Sequence, residues 1–301
     1  VRAGARRSVF SEHPQHRLLT FRTTMQENVN DMQLEQTRLI VRLSRTALAF
    51  AVVDRSTEKQ LLFEPYTVRS GISMAANLRE AFKTSTLLMR GYKKVNLLID
   101  APVMLLPIDV FHEEEVEELY RHTFVLGDGD TLRHQVLNEL NAVAVFPVSK
   151  DLQLVLTDHF ADVRITPLMR SVWTHLHRRS FTGIGRKLYA YFHGKRLEVF
   201  AFEKNRFRFC NVFEAGNSRD ALYFVLYVWK QLGMNALSDE LHLVGEIPER
   251  DWLKAAFQKF VKRTYVINPS ADFHRAPITT IPHLPYDLMT FFLKDTHEGE
   301  K

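Results

Sequence analysis

Thirteen histidines, a single cysteine and a scatter of carboxylates are the groups through which this 301-residue chain could do chemistry, and their spacing limits what that chemistry is. His112-Glu113-Glu114-Glu115-Val116 opens like a zinc-protease helix, but Val116 stands where the second histidine is needed. His175 and His177 lie two apart on a predicted helix and so point to different faces. These spacings assign no metal site. Gly127-Asp128-Gly129-Asp130 lacks the ligand series of a calcium loop and predicts a tight turn between two strands. Gly183-Ile184-Gly185 precedes a strand rather than linking a strand to a helix, the wrong setting for a dinucleotide loop, and predicts a hinge. Cys210 alternates with aromatics in Phe207-Arg208-Phe209-Cys210, the pattern of a buried small hydrophobe rather than a nucleophile. No Gly-x-Ser-x-Gly elbow is present. Asp100 and Glu214, both at predicted strand ends, are the carboxylates best placed to act as a general base, although Asp100 before Ala-Pro also reads as a turn residue.

These residues hang on a regular succession of elements. Strand-like runs at residues 39–43, 48–53 and 61–63, joined by Ser44-Arg45-Thr46 and by residues 54–59, predict an antiparallel meander. Met74, Leu78, Ala81 and Phe82 follow at helical spacing, and residues 95–100 form an apolar run that predicts a central strand covered on both faces. The second half repeats this order. Runs at 187–192, 197–202 and 207–212 are joined by His193-Gly194-Lys195 and Lys204-Asn205. A helix capped by Ser218 carries Leu222, Val225, Leu226 and Trp229 and ends at Gly233, and residues 241–244 form the second central strand. Each half then continues with a helix (150–160; 248–260), a strand (163–165; 265–267) and a last helix (168–179; 285–293). Residues 101–149 interrupt the first half as a small insertion with an acidic helix at 112–120 and two strands around the Gly-Asp-Gly-Asp segment.

Three antiparallel strands, then helix, strand, helix, strand and helix, is the order of a ribonuclease-H-like unit. Two in tandem make an actin-like ATPase fold, here an α/β protein with a first lobe at 37–183 and a second at 184–301. Over about residues 37–295 the chain also resembles a family of uncharacterised Bacteroidetes proteins with an actin-like fold. The resemblance is carried by residues 39–54, the Asp100-Ala101-Pro102 stretch through Phe111, Asn138-Glu139-Leu140-Asn141-Ala142-Val143 and residues 224–233. That fold implies two hairpin turns that cradle nucleotide phosphates with backbone amides, while aspartates organise magnesium. The first turn here, Ser44-Arg45-Thr46, has neither aspartate nor glycine, and the second, His193-Gly194-Lys195, keeps one glycine and no carboxylate. The adenosine turn keeps Gly245 alone. Ser44, Arg45, His193, Gly194, Lys195 and Gly245 are therefore the residues on which ATP with magnesium would have to rest. The expectation is instead a degenerate site with no cofactor.

Composition narrows the function classes. The net charge of +5 is concentrated in residues 1–24, where Arg2, Arg6, Arg7, Arg17 and Arg22 face Glu12 alone. The rest is nearly neutral, which argues against a nucleic-acid-binding face. Residues 1–36 are expected to be a flexible basic segment, with residues 1–24 an overextended start ahead of Met25. With one cysteine there is no intrachain disulfide, and no signal peptide or apolar run of the ~20 residues a membrane span requires is visible, so a soluble, cytoplasmic protein is expected. The 22 phenylalanines cluster with tyrosines in the second lobe, and any excess left exposed would mark a protein interface. A non-catalytic scaffold that binds another protein is the expected function; the alternative is an atypical ATPase using the cleft between the lobes.

Overall fold

Runs rich in Leu, Val, Ile and Phe pair as their short turns dictate. The computed structural model describes Leu34, residues 36–54, Glu58, and residues 60–204 and 206–298. The arginines of residues 1–24, the polar stretch before Leu34, part of the 54–59 turn and Asn205 lie outside the described residues. Strands β1 (Arg38–Leu43), β2 (Ala47–Val53) and β3 (Leu61–Thr67) form the meander, and β4 (Lys94–Ile99) and β8 (Asp162–Pro167) add parallel to β1, giving the order β3-β2-β1-β4-β8. Pro65 sits in β3, an edge position where no neighbour needs its missing N–H. Helices α1 (Met74–Thr84) and α3 (Lys150–His159) cover one face of this sheet. Ser73 caps α1 by accepting from the Ala76 amide at 3.1 Å.

The second sheet repeats the first. Strands β9 (Lys187–His193), β10 (Arg196–Glu203), β11 (Arg206–Glu214), β12 (Glu240–Gly245) and β13 (Arg263–Val266) take the order β11-β10-β9-β12-β13, with α5 (Ser218–Gln231) and α6 (Arg250–Gln258) on its outer face. Asn217, not Ser218, caps α5: its carboxamide oxygen accepts from the Arg219 and Asp220 amides, while Ser218 is buried as the first helical residue. Gly233 closes that helix region in the left-handed conformation at φ 57°, as its position predicts.

The last helices of the two halves, α4 (Arg170–Ser180) and α8 (Tyr286–Glu298), meet between the sheets. Their Trp173, Leu176, Leu288 and Phe292 join Ile40 and Leu98 of the first sheet with Tyr189, Tyr191 and Phe200 of the second in one apolar core. The lobes are thus packed against each other through shared apolar contacts.

The insertion forms its own three-stranded sheet, ordered β5 (Met104–Pro107), β7 (Ala142–Ser149), β6 (Asp130–Leu137), beneath α2 (Val116–Thr123). Two details differ from the sequence reading. Gly127-Asp128-Gly129-Asp130 leads from α2 into β6 rather than joining strands; the β6–β7 reversal falls at residues 138–141, where Asn141 takes the left-handed conformation its side chain tolerates. Helix α2 begins at Val116 rather than His112, because Val116 and Tyr120 supply the buried stripe that the three preceding glutamates cannot.

Candidate functional site

The two hairpin turns read from the sequence join equivalent strand pairs, β1–β2 and β9–β10, in the middle of the two sheets and approach each other at the lobe junction. The site of a β-carbon on Gly194 is 3.9 Å from Thr46 Oγ1. Asp100 leaves β4 beside the first turn, its amide donating to the Leu43 carbonyl at 2.9 Å, and Gly245 at the end of β12 pairs with Phe192 of β9.

Protein charges occupy this junction. At its floor the Arg42 guanidinium reaches from β1 to Asp287 on α8 through two bonds, Nε to Oδ1 at 2.7 Å and Nη2 to Oδ2 at 2.8 Å, with the aspartate fully buried. Tyr191 donates its hydroxyl to Asp287 Oδ2 at 2.7 Å. Burial works to raise the Asp287 carboxyl, but Arg42 and the hydrogen bonds outweigh it and hold the group below the usual carboxylate range. Burial also works against the charge on Arg42, and Asp287 reverses this, so the guanidinium is held more firmly charged than usual. Burial first, then Asp287, pushes the Tyr191 phenol well above its ordinary value.

A second buried group sits beside the first. Arg196 of β10 pairs with Asp100 Oδ1; His193 Nδ1 lies 3.9 Å from Asp100 Oδ2, and His193 Nε2 lies 3.5 Å from Glu198 Oε1. At the rim, Arg45 Nη1 donates to Glu214 Oε1 across the lobes at 2.6 Å, with side chains 57% and 77% exposed. Three cation–carboxylate pairs therefore span the junction between the lobes.

The six residues expected at a nucleotide site divide accordingly. His193, Gly194 and Arg45 converge on the junction. Ser44 turns its hydroxyl back onto the Ala47 carbonyl of its own turn at 3.1 Å, and Lys195 is exposed while its carbonyl accepts from the Ala215 amide. Gly245 has a structural reason: at φ 87°, a β-carbon would overlap the Phe192 carbonyl and lie 2.8 Å from the Tyr191 ring. Of the two general-base candidates, Asp100 is tied to Arg196 and Glu214 to Arg45.

The sequence reading missed Arg42, Arg196, Glu198 and Asp287. For Arg42 and Glu198 the signal was a charge inside an apolar strand, in Leu39-Ile40-Val41-Arg42-Leu43 and Leu197-Glu198-Val199; Arg196, at the start of β10, and Asp287, on a helix, carry no such mark. Elsewhere, His175 Nε2 meets Asp272 Oδ2 at 2.9 Å and His177 Nε2 meets the Lys204 carbonyl at 2.8 Å, so the two histidines serve different partners. Burial, then Glu198, pushes the Cys210 thiol well above its ordinary value, which favours the neutral thiol over the thiolate. Gly185 of the expected hinge is required by close approach, since a β-carbon there would overlap the Ser238 carbonyl.

A family model described as a protein of unknown function (DUF3822) matches residues 26–264. The chain belongs to this family. A crystal structure from Bacteroides thetaiotaomicron, described as having an actin-like ATPase fold and unknown function, is 26% identical, with a TM-score of 0.72 over 83% of this chain and 98% of that one. The PilM-PilN type IV pilus biogenesis complex is similar at 13% identity, with a TM-score of 0.51 over 78% of this chain and 89% of that one. No curated protein matches the sequence. The duplicated sheets and these likenesses together establish the actin-like ATPase fold. No helix among the described residues is long and apolar enough to cross a membrane.

Proposed function

We propose that this family member is a nucleotide-independent actin-like scaffold that works in the cytoplasm by binding another protein. The observation that carries the reading is the junction itself. Arg42–Asp287 and Arg196–Asp100 hold one lobe to the other with the protein's own buried charges, Arg45–Glu214 bridges them at the exposed rim, and the Ser44 hydroxyl is bonded within its own turn. A nucleotide with magnesium would have to displace buried, hydrogen-bonded ion pairs, each of which leaves an uncompensated charge when broken.

The second lobe supplies a surface for a partner. Of the six exposed large aromatics among the described residues, five, Tyr223, Tyr227, Trp252, Phe260 and Tyr265, belong to it, and the sixth, Phe181, lies at the end of the first lobe. Tyr223 and Tyr227, 64% and 49% exposed, stack one turn apart on α5 with ring centroids 6.2 Å apart. Tyrosine pairs of this kind give large contact area at low entropic cost. The PilM-PilN complex is a precedent for an actin-like chain assembled with another protein.

Crosslinking of the full chain in its native cells tests the proposal. A specific protein should be captured, capture should fail for the Tyr223→Asp/Tyr227→Asp variant, and neither added magnesium-ATP nor apyrase should change the yield. Capture that requires or is released by ATP contradicts the proposal.

A further inference from the structure

The two buried charge groups at the junction are unequally matched. Arg42 meets Asp287 one for one, with Tyr191 filling a remaining lone pair. The neighbouring group sets two carboxylates, Asp100 and Glu198, against the single guanidinium of Arg196, which is already bound to Asp100 Oδ1. Among the described residues, the one basic group within ion-pair range of Glu198 is His193, at 3.5 Å. The Asp100, His193 and Glu198 side chains are 4%, 5% and 4% exposed, and His193 Nε2, which faces Glu198, is buried without a hydrogen-bond partner. A carboxylate and an imidazole nitrogen held this way out of water are unfavourable without a cation between them.

We propose that Asp100, His193 and Glu198 form a binding site for a divalent transition-metal cation of the zinc type. The 3.5 Å between His193 Nε2 and Glu198 Oε1 matches the roughly 3.4 Å that separates two ligand atoms each about 2.1 Å from a tetrahedral ion. One ligand atom from each of the three residues falls within 4.8 Å of the others, so a side-chain rotation of Asp100 completes the set. All-oxygen donors would suit magnesium or calcium; an imidazole among carboxylates shifts the preference toward zinc or manganese. Arg196 on the far oxygen of Asp100 is the outer hydrogen-bond partner that fixes a ligating carboxylate. Asp100 comes from the first lobe and the other two from the second, so the ion clamps the junction.

The test uses the full chain after chelator treatment and dialysis, without nucleotide or partner, so its outcome is separate from that of the scaffold reading. Cobalt(II) is titrated first, followed by displacement with zinc. One equivalent of cobalt should bind with the strong visible absorption of a four-coordinate site, zinc should abolish that absorption, and zinc should raise the unfolding midpoint. Glu198→Gln and His193→Gln should lose the bound equivalent, Arg196→Ala should bind about 10- to 100-fold more weakly, and Arg121→Ala, at an exposed pair on α2, should bind as wild type. Binding retained by both ligand variants assigns the metal to other histidines and overturns the proposal. A wild-type protein that binds no equivalent, or shows only the weak absorption of hydrated cobalt, overturns it whether or not the variants fold.

Discussion

The floor and the rim of the lobe junction use the same chemistry under opposite conditions. Arg42–Asp287 at the floor is bidentate and shielded from water, whereas Arg45–Glu214 at the rim makes one bond between two largely exposed side chains. A buried pair is expensive to form and far more expensive to break from one side, because the surviving charge stays buried. An exposed pair loses most of its Coulomb energy to solvent. The floor therefore fixes how the lobes meet, while the rim only decorates their approach.

The sharpest way to break this contrast is Asp287→Ala, which strands Arg42 and should lower stability by about 3–5 kcal/mol in urea unfolding. The double variant Arg42→Met/Asp287→Leu should recover most of that loss, since an apolar pair of similar volume removes both charges. Next in size is Gly245→Ala, which should lose more than about 1 kcal/mol because the left-handed backbone is compounded by a clash with the Phe192 carbonyl. Gly194→Ala, with the same backbone handedness and only an ordinary contact with Thr46 Oγ1 beside it, should lose less.

Acid sharpens the comparison further. The Asp287 carboxyl titrates below its unfolded value near 4, so its contribution to stability is present above that value and disappears as pH falls through the lower folded one. Urea midpoints below about pH 4 should accordingly fall more steeply for wild type than for the double variant. Arg45→Ala should give the smallest change, under about 1 kcal/mol and diminishing with added salt; a loss as large as that of Asp287→Ala would erase the distinction between floor and rim.

Much of the fold was legible because its signals are local. Apolar runs of strand length, short polar turns and the helical spacing of residues such as Leu78 and Val225 recur in the same order in both halves, and the two sheets share one strand order. The junction was legible only in part. The turns were visible, and so were His193 and Asp100, but Arg42 and Asp287 are 245 residues apart and nothing near either one announces the other. Glu198 looked like an ordinary strand charge until β9–β10 pairing set it opposite Tyr191 and on the face shared with His193. The misplaced turn at Gly127-Asp128-Gly129-Asp130 has a similar origin: two glycines advertise a reversal more loudly than Asn141, which makes the one between β6 and β7.

The most direct test of the central claim is thermal unfolding of the full chain with and without millimolar ATP or ADP and magnesium. A ligand bound only by the folded state at 100 times its dissociation constant stabilises it by about 2.7 kcal/mol, which would move the midpoint visibly. A junction held by its own ion pairs predicts no shift with either nucleotide. A clear rise that Lys195→Ala abolishes would contradict the account and make the cleft a working nucleotide site.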